Sequence, residues 1–303
     1  MLDALAAIVK ALLYGALLSA AGTPLAAVSL RSPALVGERA SRVMRLAALL
    51  TIALSAISSI VLFARLGGEF DAPTLGAVFA SGPGAALALQ VAGAVLLLTP
   101  VSDDSAGALW LASGALVITA SVAFNGHASA ASMAAGLVAM IHLTAIAWWI
   151  GSLWLLRYVC QAAPAEEVAA VVKRFSKHAV LIVAALVATG GGLIWTLIDF
   201  SKSPLMQSYE WMLVLKLAFV ALALLIATYN KVRLTPWLAT HPPTSQLLRM
   251  TIAVEMGVIA CVLIVTAVMT TYFAPEMREQ RDERGALSSP AWSMSDDLST
   301  RQR

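Results

Sequence analysis

Eight stretches of roughly twenty mostly apolar residues follow one another along the chain, at about 3–29, 43–65, 75–99, 106–124, 134–157, 178–199, 210–229 and 250–273. Each is long enough to cross a hydrocarbon core about 30 Å thick. Backbone polar groups find no water in that core, so each run must satisfy its own hydrogen bonds as a helix. The expected fold is therefore all-α, a polytopic membrane bundle of about eight transmembrane helices. Composition agrees: 60% of residues are hydrophobic and only 12% charged, against about 25% charged in soluble domains. Pro24 and Gly82-Pro83-Gly84 are expected to interrupt the first and third spans. Gly190-Gly191-Gly192 permits close helix approach or a bend. No internal repeat is visible.

Orientation follows from Lys and Arg in the short loops. The odd-numbered loops and their flanks hold Arg31, Arg39, Arg42, Arg45, Arg157, Lys173, Arg174, Lys177, Lys231, Arg233 and Arg249, while the even-numbered ones hold Arg65 and Lys202. This bias puts the odd loops in the cytoplasm and both termini outside. The net charge of +3 reflects these loops and does not point to nucleic acid. Met1-Leu2-Asp3 lacks a basic leader, so no cleaved signal peptide is expected. The segment 276–303 mixes charges with serines and is expected to be a polar, disordered tail outside the membrane. Cys160 and Cys261 sit in or beside apolar runs and give no disulfide framework and no CxxC site.

Ionisable groups inside spans are costly and usually functional. His142 falls about two turns inside the fifth span, and His127 lies in the uncharged loop before it. Lys10, Gln90, Lys216 and Glu255 complete the polar residues within the spans. Lys10 shares a helix face with Asp3 and is expected to pair with it. Lys216 belongs to the outer third of its helix and Glu255 to the inner third of the next, so a direct ion pair between them is not expected. Plainer readings exist for both: snorkelling for Lys216 and a hydrogen-bonded packing role for Glu255. Met133, Met206, Met212, Met269 and Met277 fall at or beyond the external helix ends. Imidazole and thioether donors suit a soft or borderline ion and not calcium or magnesium. Trp149 is seven residues from His142 on one helix face, where its ring could shield a bound cation.

These residues form a pattern that resembles the CopD family of bacterial copper-resistance membrane proteins. It is carried by Gly126-His127-Ala128, by His142-Leu-x-Ala-x-x-Trp149-Ile-Gly151-x-Leu153, and by Arg174-Phe175-Ser176. Leu215-Lys216-Leu217, Tyr229-Asn230-Lys231 with Pro236, and Arg249 with Glu255 and Cys261-Val262-Leu263 continue it to Pro275. The resemblance is specific over 120–275, taken as a CopD-like membrane domain. Over 1–119, taken as an N-terminal four-helix region, it rests on span count. Ser152 stands where the family more often has a second glycine.

The resemblance implies copper homeostasis at the bacterial cytoplasmic (inner) membrane, with copper taken from the periplasm and moved across or into the membrane. It implies His127, His142 and Met133 as copper ligands, Cu(I) being favoured and Cu(II) also accommodated. Trp149 would shield the site, Lys216 and Glu255 would line or gate the passage, and Asn230 would sit near its inner mouth. The chain lacks a fused copper-binding β domain, so a periplasmic copper carrier would be a separate protein.

Other functions are weighed on the same residues. A copper-delivery or assembly factor for a membrane oxidase would need the same outer site without transmembrane flux. A b-type haem protein needs paired histidines at matching depth, whereas His142 and His178 fall on opposite sides. Transport of a different solute remains a third alternative. No enzyme is expected, since no nucleophile–base spacing, phosphate loop or nucleotide fingerprint is present.

Overall fold

The computed structural model describes residues 1–30, 38–66, 72–102, 104–124, 132–197, 208–238 and 243–272. Nine α-helices are present among them: α1 (Leu2–Leu30), α2 (Glu38–Leu66), α3 (Ala72–Phe79), α4 (Gly82–Leu98), α5 (Ser105–Ala120), α6 (Met133–Ala162), α7 (Ala165–Leu197), α8 (Ser208–Tyr229) and α9 (Pro243–Tyr272). A 3-10 turn, Ser121–Phe124, extends α5, and a π turn, Asn230–Leu234, extends α8. Seven helices are long and apolar enough to cross a membrane, and α4 is a shorter apolar helix.

The side-chain contacts order these helices. Leu17, Leu18, Ala20 and Ala21 of α1 share a core cluster with Ala147 and Ile150 of α6. Further along, Ala26 and Leu30 share another with Leu153, Leu156 and Val159. Helices α1 and α6 are therefore parallel. Lys10, near the start of α1, donates to Thr270 Oγ1 near the end of α9, at 3.3 Å, while Ile252 near the start of α9 packs with Leu30's cluster. Helix α9 is thus antiparallel to α1. These directions require α4 to cross as well. They also bring the beginning of α1 and the end of α9 to the same side of the bundle.

Two of the sequence expectations change. Pro24 does not interrupt the first span, because α1 runs unbroken through it. The hydrogen bond that proline removes is one of many in a 29-residue helix, and neighbours in a bundle re-satisfy such freed groups. The third span is broken, but just before the glycines, between Phe79 and Gly82. Ser81 precedes α4 with its hydroxyl donating back to Val78 O, and Pro83 occupies the first turn of α4, where its missing N–H costs nothing.

Glycines set the tightest crossings. A Cβ on Gly22 would fall on Ala147 O, and one on Gly151 would fall on the Gly22 carbonyl, so α1 and α6 meet backbone to backbone. A Cβ on Gly93 would stand 2.7 Å from Gly114 O, giving the same approach between α4 and α5. Among these helices Gln90 is a packing residue: Ser55 donates to its Oε1 at 2.7 Å, and its Nε2 donates to Ser121 Oγ at 3.4 Å. On the flank, α7 and α8 turn Val180, Leu181, Val187, Leu222 and Leu225 outward. That apolar exterior suits a lipid environment, and the protein is a multi-pass membrane protein.

Candidate metal-handling site

Most of the polar side chains expected from the sequence lie along α6, α8 and α9, at two levels. The level nearer the start of α6, called outer for that reason, centres on His142, nine residues into α6 and so about 14 Å from its start. The His142 Nδ1 lies 2.9 Å from Thr189 Oγ1 of α7. The Thr189 hydroxyl donates to Ala185 O at 2.5 Å, so its oxygen is free to accept. In the tautomer with the proton on Nδ1, His142 donates to this oxygen and Nε2 keeps its lone pair. A metal-binding imidazole is commonly oriented in this way, through its other nitrogen. Gly190 makes room for the ring: a Cβ there would meet His142 Cε1 at 3.3 Å. Lys216 of α8 is close enough to act on His142 electrostatically.

The inner level centres on Glu255, which is only 1% exposed. Trp149 Nε1 donates to its Oε1 at 2.9 Å, and Asn230 Nδ2 donates to its Oε2 at 3.4 Å. Asn230 opens the π turn, and its carbonyl accepts from the Thr235 backbone N–H and, at 3.0 Å, from Thr235 Oγ1. Pro236 follows and has no N–H to continue the α-helical pattern, so the turn widens where Asn230 meets Glu255. Phe175 of α7 stands edge-on to Trp149, ring centroids 5.9 Å apart, and stacks on Trp148 at 5.6 Å. Trp148 Nε1 donates to Ser29 Oγ at 2.8 Å, and Arg174 donates to Leu30 O at 2.7 Å, tying the end of α1 to the second half of α6 and the first part of α7.

Several expected groupings do not form. His127 lies outside the described residues, as do Met206, Met277, His241 and the segment 276–303. Met133 is 86% exposed at the first residue of α6, about 14 Å of helix from His142, and one ion cannot bridge that distance. Trp149 is engaged by Glu255, about 10 Å further along α6 than His142, so its ring does not cover His142. Lys10 does not pair with Asp3, which instead bridges to Arg65 at 2.9 Å. Lys216 and Glu255 stay at separate levels. Among the described residues no three of His, Cys, Asp and Glu gather to hold a metal, and both cysteines are free thiols. His178 is exposed and bonded to Arg174 O at 2.9 Å. Thr189, Gly190 and Phe175 were not among the expected site residues; the run Thr189-Gly190-Gly191-Gly192 and the Arg174-Phe175-Ser176 motif were the signals that pointed toward them.

Comparison with known families decides the relationship. The model for copper resistance protein D matches residues 169–269, and the model for the copper resistance protein D-like N-terminal domain matches residues 1–137. The chain belongs to the copper resistance protein D family. Lys216, Asn230 and Glu255 lie within the copper resistance protein D match. His142, Trp149 and Gly151 lie in the interval 138–168 that neither match covers. No curated protein and no solved structure matches the chain.

Proposed function

We propose that this protein takes copper from the periplasm and moves it across or into the bacterial cytoplasmic membrane. The observation that carries the reading is the line of polar groups, His142 and then Trp149–Glu255–Asn230, through an otherwise apolar bundle of copper resistance protein D type. Copper is the substrate, not a resident cofactor. His127, together with Met133 at the start of α6, receives it at the outer face. His142 takes it next through the open Nε2. Imidazole and thioether donors favour Cu(I), and imidazole alone also holds Cu(II).

Below His142 the ion meets Trp149, whose indole closes the passage against Phe175, and then the Glu255 carboxyl. Asn230 lies toward the inner mouth. Lys216 acts on the same level as His142. An ammonium there repels a cation, which keeps copper from settling too deeply and favours onward movement. The arginine distribution of the loops supports periplasmic termini, and a separate periplasmic carrier supplies the ion.

Equilibrium binding tests the copper assignment. Purified protein titrated with Cu(I) against a competing chelator is expected to retain copper, and His142→Ala is expected to lose the in-membrane share. Copper binding unchanged in His142→Ala would remove His142 from the path. Binding without passage across a sealed membrane would turn the reading to a delivery or assembly factor.

A further inference from the structure

The inner level contains an imbalance that the copper reading does not use. Glu255 is fully buried, and its hydrogen-bond partners are two neutral N–H donors. Its charge, when ionised, is not balanced by any side chain bonded to it. Asn230, 8% exposed, has its amide oxygen Oδ1 buried with no hydrogen-bond partner. A buried polar atom left unpaired costs about 1–3 kcal/mol and calls for an explanation. The amide offers one. As placed, its NH₂ serves an ionised carboxylate. Turned by half a rotation, Oδ1 faces Glu255 and accepts from a protonated carboxyl O–H. Asn230 is thus a partner for either form of Glu255, and each arrangement leaves one end of the amide unused. The π turn that carries Asn230 is the kind of irregularity often found at functional sites.

We propose that Glu255 is a proton-binding site that alternates between ionised and protonated forms, and that its proton moves against copper. In its protonated form Glu255 donates to Asn230 Oδ1. As the copper cation arrives from His142, the Glu255 O–H bond breaks, the proton passes to water, and the carboxylate balances the ion's charge. When copper leaves, water returns a proton and the amide turns back. The second half of the proposal rests on the copper reading; the proton site does not.

Other ionisable groups do not substitute for this role. Lys10 and Tyr14 of α1 belong to the far end of α9, where both bond Thr270. Arg157 and Cys160 of α6, Lys231 and Arg233 of the π turn, and Arg249 and Cys261 of α9 make no hydrogen bond or ion pair with Glu255. His142 and Lys216 belong to the outer level.

Infrared difference spectra of reconstituted protein between acidic and alkaline buffers test the site without copper. A carboxylic C=O band that appears on acidification, vanishes in Glu255→Gln and shifts in Asn230→Leu is expected. A difference spectrum identical in wild type and Glu255→Gln, or a band that Asn230→Leu leaves unmoved, would overturn the proton site. Trp149→Phe provides a second readout, since losing one donor to Oε1 should also shift the band. Coupling is read with a pH dye sealed inside voltage-clamped proteoliposomes as Cu(I) is added outside. Wild type should show lumen acidity change opposite to copper, and Glu255→Gln should lose the proton signal. Copper entry in wild type without a pH change would overturn coupling. A titrating Glu255 band in a protein that neither binds Cu(I) nor admits it to proteoliposomes would overturn the copper reading and leave the proton site standing.

Discussion

The individual side chains are legible in the sequence as polar exceptions inside apolar runs, but their partners are not. Trp149, Glu255 and Asn230 were each singled out, yet their meeting depends on how α6, α8 and α9 are rotated against one another, which periodicity along one chain does not report. His142 was found, and Thr189 was not, because a threonine in a membrane helix ordinarily bonds only its own preceding turn. Thr189 does that too, and its remaining lone pairs hold the histidine. Thr189→Val is therefore expected to leave the bundle folded and to weaken copper binding at His142 by about 10–100-fold, the usual effect of losing an outer-shell partner; chelator competition measures it. Lys216→Met should tighten copper retention by roughly ten-fold, since it removes a like charge that acts on His142. Lys10 was misread because a spacing of seven places Asp3 about 10 Å away along the axis, whereas Arg65 on the adjacent helix comes within 2.9 Å of it. Outside the membrane, the Asp104 carboxyl caps α5. Hydrogen bonds from Gly107 N–H and Ser102 hold its pKa below the usual 3.8. Its stabilising effect is complete above that value and lost as pH falls through the lowered one. Exchange of the Gly107 amide should accelerate only in acid below about pH 4, and an Asp104→Asn variant should lose most of that pH dependence.

At the scale of elements, the apolar pattern located every span but not the ends of the helices. Helix α7 begins at Ala165, well before the expected 178, because Lys173, Arg174 and Lys177 continue the helix beyond the apolar run. Hydropathy marks the part of a helix that lies in lipid, while its ends depend on capping: Ser132 Oγ accepts from Ala135 N at 3.1 Å to start α6, a contact worth about 1 kcal/mol. The α1–α6 crossing is the most sensitive contact between elements. Gly151→Ala should destabilise the bundle by about 1–3 kcal/mol or more, because the added carbon meets backbone and no rotamer can move aside. Thermal unfolding in detergent measures this, with Gly191→Ala as the control, since nothing lies within 4 Å of a Cβ there. Ser152 is fully buried on the same helix with an unpartnered hydroxyl, so Ser152→Gly is expected to be neutral or mildly stabilising.

Across the whole molecule, helix directions turn eight apolar runs into a topology. Helices α1 and α6 are parallel and α9 is antiparallel to both, so the beginning of α1 and the end of α9 share one side. Impermeant labelling of a cysteine placed at either end should modify both from the same side of sealed vesicles. The polar line begins toward that side at His142 and reaches Glu255 in the middle of the bundle. The central claim is that copper follows this line across the membrane. Copper accumulation in sealed proteoliposomes of known orientation tests it directly, with wild type set against a His127→Ala/His142→Ala double variant and with Cu(I) and Cu(II) supplied in turn. The account predicts time-dependent lumenal copper in wild type that is lost in the double variant. Equal accumulation in both, or none in wild type, would contradict it.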